Sequence, residues 1–334
     1  MHSKRNIYQC PDTKKPLQVT PKQRKGDQVV TGILSASNRR YPIRDGIPIF
    51  VDYSERTKEQ NDALEYYDAV SKTYDDVAGL SFRIQYVDET KARKRFVERL
   101  ELKPNSRVLE IACGTGRDSV NIAARLGAKG EYYLQDLSEP MLRECQKKLA
   151  KVSVPAEFLV ADGCNLPFPD RYFDAVYSFG GLCVFPDIAG SLREMVRVCK
   201  PGARIVAGDE SMAPWLYDTE YGRILLSNNP LFKTELPLKY LPREARDVRV
   251  QWVVGGVYFL IDFTVGVGDP EADFDLEIPG ARGGTLRTRY YGRLEGVTQK
   301  TYKLMEEARK KSGKSRHEWL EEVIRKAAKS GKGS

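Results

Sequence analysis

Residues 107–119 read RVLEIACGTGRDS. Val108, Leu109, Ile111 and Ala112 are apolar and nearly contiguous, the composition of a strand covered on both faces of a parallel sheet. Glu110 is the one charged residue among them. The run breaks at Cys113-Gly114-Thr115-Gly116, a turn so poor in side chains that a ligand can lie directly on its backbone. Apolar residues resume at Val120, Ile122, Ala123 and Ala124, which predicts a helix whose first amides point back at the loop. A strand, a glycine loop and a helix in that order form a nucleotide-cofactor unit of an α/β fold.

A dinucleotide fingerprint needs a third glycine, and Ser119 stands in its place. A tight βα turn with no ligand accommodates a glycine pair too, so the downstream spacing decides. Residues 131–142, EYYLQDLSEPML, predict a second strand ending in Asp136, where a carboxylate can accept from both hydroxyls of a ribose. Residues 157–163, EFLVADG, predict a third strand. LPFPDRYFDAVYS leads into a fourth centred on Ala175, Val176 and Tyr177. LREMVRVCKPGARIVAGDE predicts an amphipathic helix, a stop at Lys200-Pro201-Gly202 and a fifth strand.

Taken in this order, these segments resemble the class I S-adenosylmethionine-dependent methyltransferases. Glu110, Gly114 and Gly116 match that family's first motif, Asp136, Leu137 and Met141 match its D-hydrophobic-S-x-x-M-L pattern, and Asp162-Gly163 resembles the pair that meets the adenine amino group. LPFPDRYFDAVYSFGGL is similar to the ubiquinone and menaquinone biosynthesis enzymes within the type 11-like methyltransferase core. The resemblance implies a Rossmann-like α/β fold: seven strands, the last inserted antiparallel, with helices on both faces. It implies S-adenosylmethionine as methyl donor, S-adenosylhomocysteine as product and no metal. The cofactor contacts it implies are Tyr74, Glu110, Ala112, Gly114, Gly116, Asp136, Leu137, Met141, Asp162, Gly163, Cys164, Ser178 and Phe179.

The flanking segments read differently. Residues 1–52 resemble the small zinc-ribbon domain related to the activator subunit of tRNA methyltransferases, through Cys10-Pro11, Pro16-Leu17 and Tyr41 to Pro48. Thr13, Leu34 and Ser37 stand where the other zinc-binding cysteines would fall, so a metal-free β-rich domain is expected. Residues 53–270 are then the methyltransferase domain, and 271–334 a basic extension. In that extension Arg287 and Arg289 fall on a strand or a flexible loop. Thr298 caps a helix closed by Gly313, and Ser315 with Glu318 opens another, with Trp319, Leu320, Val323, Ile324 and Ala327 on its buried side. A strand and two short helices loosely resemble ribbon-helix-helix modules, which makes the C-terminal helices a candidate dimer surface.

Acceptor choice is expected in the insert at residues 209–247. Trp215, Tyr217, Tyr221 and Phe232 supply aromatic surface for a hydrophobic or planar molecule, although packing alone accounts for them equally. VRVQWVVGGVYFLIDFTVG alternates around Gly255-Gly256 and predicts a hairpin. Tyr67, Trp215, Tyr217, Tyr221, Arg287 and Arg289 are the candidate substrate contacts. Both histidines, His2 and His317, lie near the termini, so a histidine base in the core is not expected. Tyr74, Asp209 and Glu210 remain as candidate bases. SFGG follows the fourth strand in place of the acidic-or-amide, proline, proline, aromatic tetrapeptide that marks amino-methylation of nucleobases.

Bulk properties narrow the partners. The chain of 334 residues has net charge +8, yet residues 45–281 are acidic on balance while both ends are basic. Basic ends make nucleic acid the alternative partner, behind a small-molecule acceptor methylated on carbon or oxygen. Six cysteines without paired spacing suggest neither a disulfide framework nor a zinc site. The start lacks an apolar leader, and the most apolar run, 252–268, is interrupted by glycines and Asp262. A cytoplasmic enzyme without a membrane span is the expectation.

Overall fold

The computed structural model describes residues 1, 6–279, 283–291 and 297–330, and His2 lies outside them. Strands β1 (Gln18–Lys25), β2 (Gln28–Ala36), β3 (Arg39–Arg44) and β4 (Ile47–Pro48) form an antiparallel meander. After it come helices α1 (Lys58–Val70), α2 (Tyr74–Ala78), α3 (Leu80–Ile84) and α4 (Glu89–Glu98). The βα alternation that follows comprises β5 (Arg107–Ile111), α5 (Ser119–Ala123), β6 (Glu131–Asp136), α6 (Glu139–Leu149), β7 (Ala156–Val160), β8 (Phe173–Phe179), α7 (Ile188–Val198) and β9 (Cys199–Glu210). Helix α8 (Glu220–Asn228) and the hairpin β10 (Ala245–Val253) and β11 (Tyr258–Val265) complete this part.

Seven strands make the main sheet in the order β10-β11-β9-β8-β5-β6-β7. β5 through β9 pair in parallel, and β11 enters antiparallel to β9. Period-2 alternation sends Leu109, Tyr133, Val176 and Ile205 to one face, against Leu192 and Met195 of α7. Val108, Tyr132, Tyr177 and Val206 go to the other, against Phe96, Ile122 and Leu142 of α4, α5 and α6. Both faces are therefore covered, and the open ends of the parallel strands are left for a ligand.

The N-terminal meander shares the first of these cores. Tyr8, Cys10, Leu34 and Phe50 are buried in one cluster with Leu109, Tyr133 and Phe168. Phe50 N–H donates to the Val160 carbonyl at 2.8 Å, covering the otherwise bare edge of β7. Cys10 is a free thiol whose Sγ lies 3.2 Å from the Tyr41 hydroxyl.

Residues 1–270 and 271–334 are separate compact units. In the second, α9 (Leu286–Tyr291), α10 (Gln299–Ser312) and α11 (Arg316–Ser330) follow one another. Arg287 and Arg289 thus sit on a short helix, correcting the expected strand or loop. Thr285 anchors its start, its Oγ1 accepting from Thr288 N–H at 3.1 Å, an N-terminal bond that a strand has no use for. The caps at Thr298 and Gly313 and the Ser315/Glu318 box form as read. The buried side expected for α11 does not: Val323 and Ile324 are exposed and no residue of the helix is fully buried. A unit of this size buries a smaller fraction of its surface than a larger domain does. No helix among the described residues is long and apolar enough to cross a membrane.

Candidate functional site

The site lies at the C-terminal ends of β5, β6, β8 and β9. The β5–α5 loop takes left-handed backbone at Ala112 (φ 53°), Gly114 (φ 53°) and Gly116 (φ 84°). The two glycines have different reasons. A Cβ on Gly116 would stand 2.6 Å from Cys145 Sγ of α6, so that position lets the loop pack. A Cβ on Gly114 would meet nothing within 4 Å, so it faces open space that a ligand can use.

Asp136 closes the next strand end. Its Oδ2 accepts from Gly114 N–H at 2.7 Å and its Oδ1 from Ser138 N–H at 2.9 Å. Burial raises its carboxyl while these amides hold it down. Each oxygen keeps a lone pair for a further donor. Across the sheet, Ser178 Oγ is buried and has no hydrogen-bond partner among the described residues, and beside it Gly180 (φ 84°) also opens onto free space. A bare loop, an oriented carboxylate and an orphaned hydroxyl fit a nucleoside-bearing cofactor such as S-adenosylmethionine.

Helices α1 and α2 cover this end. Tyr66, Tyr67 and Tyr74 form an edge-to-face chain, with centroids 5.5 and 6.2 Å apart. Two hydrogen bonds tie the cover down: Ser138 Oγ donates to Asp68 at 2.5 Å, and Thr115 Oγ1 of the glycine loop donates to Asp75 at 2.5 Å. Lys148 of α6 pairs with Asp75 as well. Burial raises the Tyr74 hydroxyl, opposed by Arg117 and Arg93.

The opposite wall starts where β9 ends. Asp209 is buried and accepts from Cys183 N–H at 2.6 Å and Glu210 N–H at 2.8 Å, so its carboxyl is committed to backbone. Glu210 Oε1 accepts from Asn229 Nδ2 at 2.9 Å and from the Tyr258 hydroxyl at 3.2 Å. Burial, then the charge of Asp209, raises its carboxyl to about 7. Burial, then Tyr74, then the same two carboxylates push the Tyr67 hydroxyl up, which brings the cover and this wall within electrostatic reach.

Other candidates from the sequence occupy varied places. Glu110 is buried and accepts from Ser119 Oγ at 2.6 Å and from the Tyr132 hydroxyl, with burial raising it to about 8. It braces α5 and β6 beneath the loop. Met141 is buried in α6, and the half-buried Leu137 follows Asp136. Asp162 Oδ1 accepts from Cys164 N–H at 2.8 Å, and a Cβ on Gly163 would crowd Phe185 at 3.0 Å. The Phe179 ring is stacked between Phe96 (5.0 Å) and Tyr258 (5.6 Å). Trp215 is exposed and packs edge-on to Trp252, Tyr217 is half-buried, and Tyr221 donates to the Gly255 carbonyl at 2.9 Å. Within the C-terminal unit Arg287 forms an ion pair with Asp275 at 3.4 Å, and Arg289 donates to the Gly283 carbonyl at 3.0 Å.

The sequence reading missed Asp68, Asn229 and Tyr258. Asp68 carried a faint signal, one position after Tyr67 on the same helix. Asn229 and Tyr258 reach Glu210 only through the fold, since 19 and 48 positions separate them from it.

Residues 108–202 match the family described as a methyltransferase domain. A demethylmenaquinone methyltransferase of Desulfitobacterium hafniense is 32% identical over 164 residues, 48% of this chain and 63% of that protein. One from Lactiplantibacillus plantarum is 39% identical over 121 residues, 36% of this chain and 51% of that protein. The chain thus spans between half and two thirds of the length of these curated relatives. A solved S-adenosylmethionine-dependent methyltransferase from Aquifex aeolicus aligns with 59% of this chain and 98% of its own, at TM-score 0.42 and 22% identity. With the glycine loop, the oriented Asp136 and the matched segment all on β5 through β9, the chain carries a methyltransferase domain.

Proposed function

We propose that the protein methylates a small hydrophobic acceptor of quinol type, on carbon or oxygen, with Glu210 taking the proton. The observation that carries this reading is the Glu210 carboxyl. It is half-buried, held by Asn229 and Tyr258, and raised to about 7, so it exchanges a proton near neutral pH. S-adenosylmethionine, when bound, supplies an electrophilic methyl whose bonding pair stays on sulfur. The Gly114 backbone and Asp136 would hold the nucleoside, and Tyr67 and Tyr74 would exclude water and present ring faces to the cationic sulfur. The acceptor's new bond to the methyl carbon forms as its proton passes to Glu210.

The aromatic insert and the demethylmenaquinone methyltransferases among the relatives support an apolar cyclic acceptor. The test is incubation with methyl-labelled S-adenosylmethionine and a panel of reduced naphthoquinones and benzoquinones, with products identified by mass spectrometry. Labelled quinol is the expected outcome. Label that appears only in added RNA or protein would overturn the reading.

A further inference from the structure

Away from the strand ends, a groove of about 730 Å³ runs between α4 and β10. Val87, Ala92, Phe96, Val253 and Val254 give it an apolar wall, and Arg95, Arg99 and Arg249 stand around it. That volume lies within the range of small-molecule sites, roughly 300–1,000 Å³.

The charge in this groove is arranged by one buried residue. Asp262 on β11 is fully buried and takes three guanidinium groups: Arg99 at 2.8 Å, Arg249 at 2.6 Å, and Arg204. One carboxylate neutralises one of them. Glu101 offsets part of the remainder from 3.7 Å beyond Arg249 and 3.9 Å beyond Arg204, but it is largely exposed. Glu98, also at the groove, is occupied by Arg125 at 3.0 Å. Arg95 is exposed and has no ion-pair partner among the described residues. Arg95 lies in the last turn of α4, where its charge complements the helix end without using up its hydrogen-bond donors, so those donors are left for a further anion. Oriented guanidinium groups beside an apolar wall suit an anion with a hydrophobic body.

We propose that the α4–β10 groove is a second ligand site, for a small amphiphilic anion: an apolar chain or ring carrying a phosphate or carboxylate. The head group meets Arg95 and Arg249, and the body lies along Phe96 and Val253. The proposal does not depend on the identity of the methyl acceptor.

Isothermal titration of the full chain with hexyl phosphate tests it, with inorganic phosphate as the headgroup control and S-adenosylhomocysteine added beforehand to fill the cofactor site. Saturable binding of hexyl phosphate is expected, at least about tenfold tighter than inorganic phosphate. Arg95→Ala and Arg249→Ala are each expected to weaken it about tenfold, the loss of one charge-assisted hydrogen bond. Arg95→Ala leaves the Asp262 cluster untouched, so its effect is read on a folded protein. Equal affinity for the two phosphates would overturn the proposal, as would competition by S-adenosylhomocysteine. So would hexyl phosphate affinity that Arg95→Ala leaves unchanged.

Discussion

The two halves of the site are built by opposite means. At the proposed cofactor end, backbone does the work: two glycines, a strand-end carboxylate and amides at Gly114 and Ser138, all within about thirty residues of chain. At the proposed acceptor end, side chains from five separate segments converge: Tyr67 and Tyr74, Glu210, Asn229 and Tyr258. A backbone cradle fixes one ligand chemistry and admits little variation. A wall of side chains can be rebuilt residue by residue without disturbing the sheet, which is how one fold serves many acceptors.

The contrast can be tested where each half should fail. The largest effect belongs to the acceptor end: Glu210→Gln should lower kcat by about 10²–10⁴-fold while leaving cofactor affinity intact. In the wild type, kcat should rise with pH through about 7 as the raised carboxyl ionises, and this rise should vanish in the variant. Steady-state rates across pH check both, and a variant with an unchanged profile would remove Glu210 from the chemistry.

Asp136→Ala should act the other way. Cofactor affinity, by calorimetry, should weaken by about 10–150-fold, the range of a charge-assisted hydrogen bond lost, with the fold retained by circular dichroism. Unchanged affinity would refute the assigned cofactor site.

The two loop glycines sharpen the same distinction. Gly116→Ala should lower thermal stability by about 1–3 kcal/mol, because its Cβ meets Cys145 at 2.6 Å. Gly114→Ala has space for its Cβ, so its cost in stability should be limited to the left-handed backbone, about 1 kcal/mol, with most of its effect on cofactor binding. If melting curves rank the two in reverse, the open side of the loop has been misplaced.

A further effect lies beneath the loop. Glu110 is raised from 4.5 to about 8, so the folded state favours its protonated form. Its contribution to stability is complete below about pH 4.5 and is lost as pH rises through 8. Glu110→Gln should flatten that decline by a few degrees of Tm across pH 5–8 in thermal melts.

Much of the fold was legible because βα units announce themselves locally. A two-sided apolar run followed by glycines names β5 and its loop, and caps such as Thr298 and Ser315 mark helix starts. The hairpin at Gly255 and Gly256 could be read from alternation alone. The exposed face of α11 could not, since a periodic apolar stripe says which side seeks cover and not whether this chain supplies any. Glu110 shows the same limit. Its position in the motif suggested a ligand contact, while Ser119 and Tyr132 take up its Oε2 from neighbouring elements.

The sequence by itself determined the succession of βα units along the chain, the glycine loop after the first parallel strand and the carboxylate of Asp136 at the end of the next, because those features depend on residues adjacent in the chain. Tertiary structure alone decided that Asn229 and Tyr258 hold Glu210, that the N-terminal meander completes the core, and that Asp262 gathers three arginines beside an apolar groove. Each of these rests on burial and charge placed by long-range packing, where the energy comes from neighbours in space.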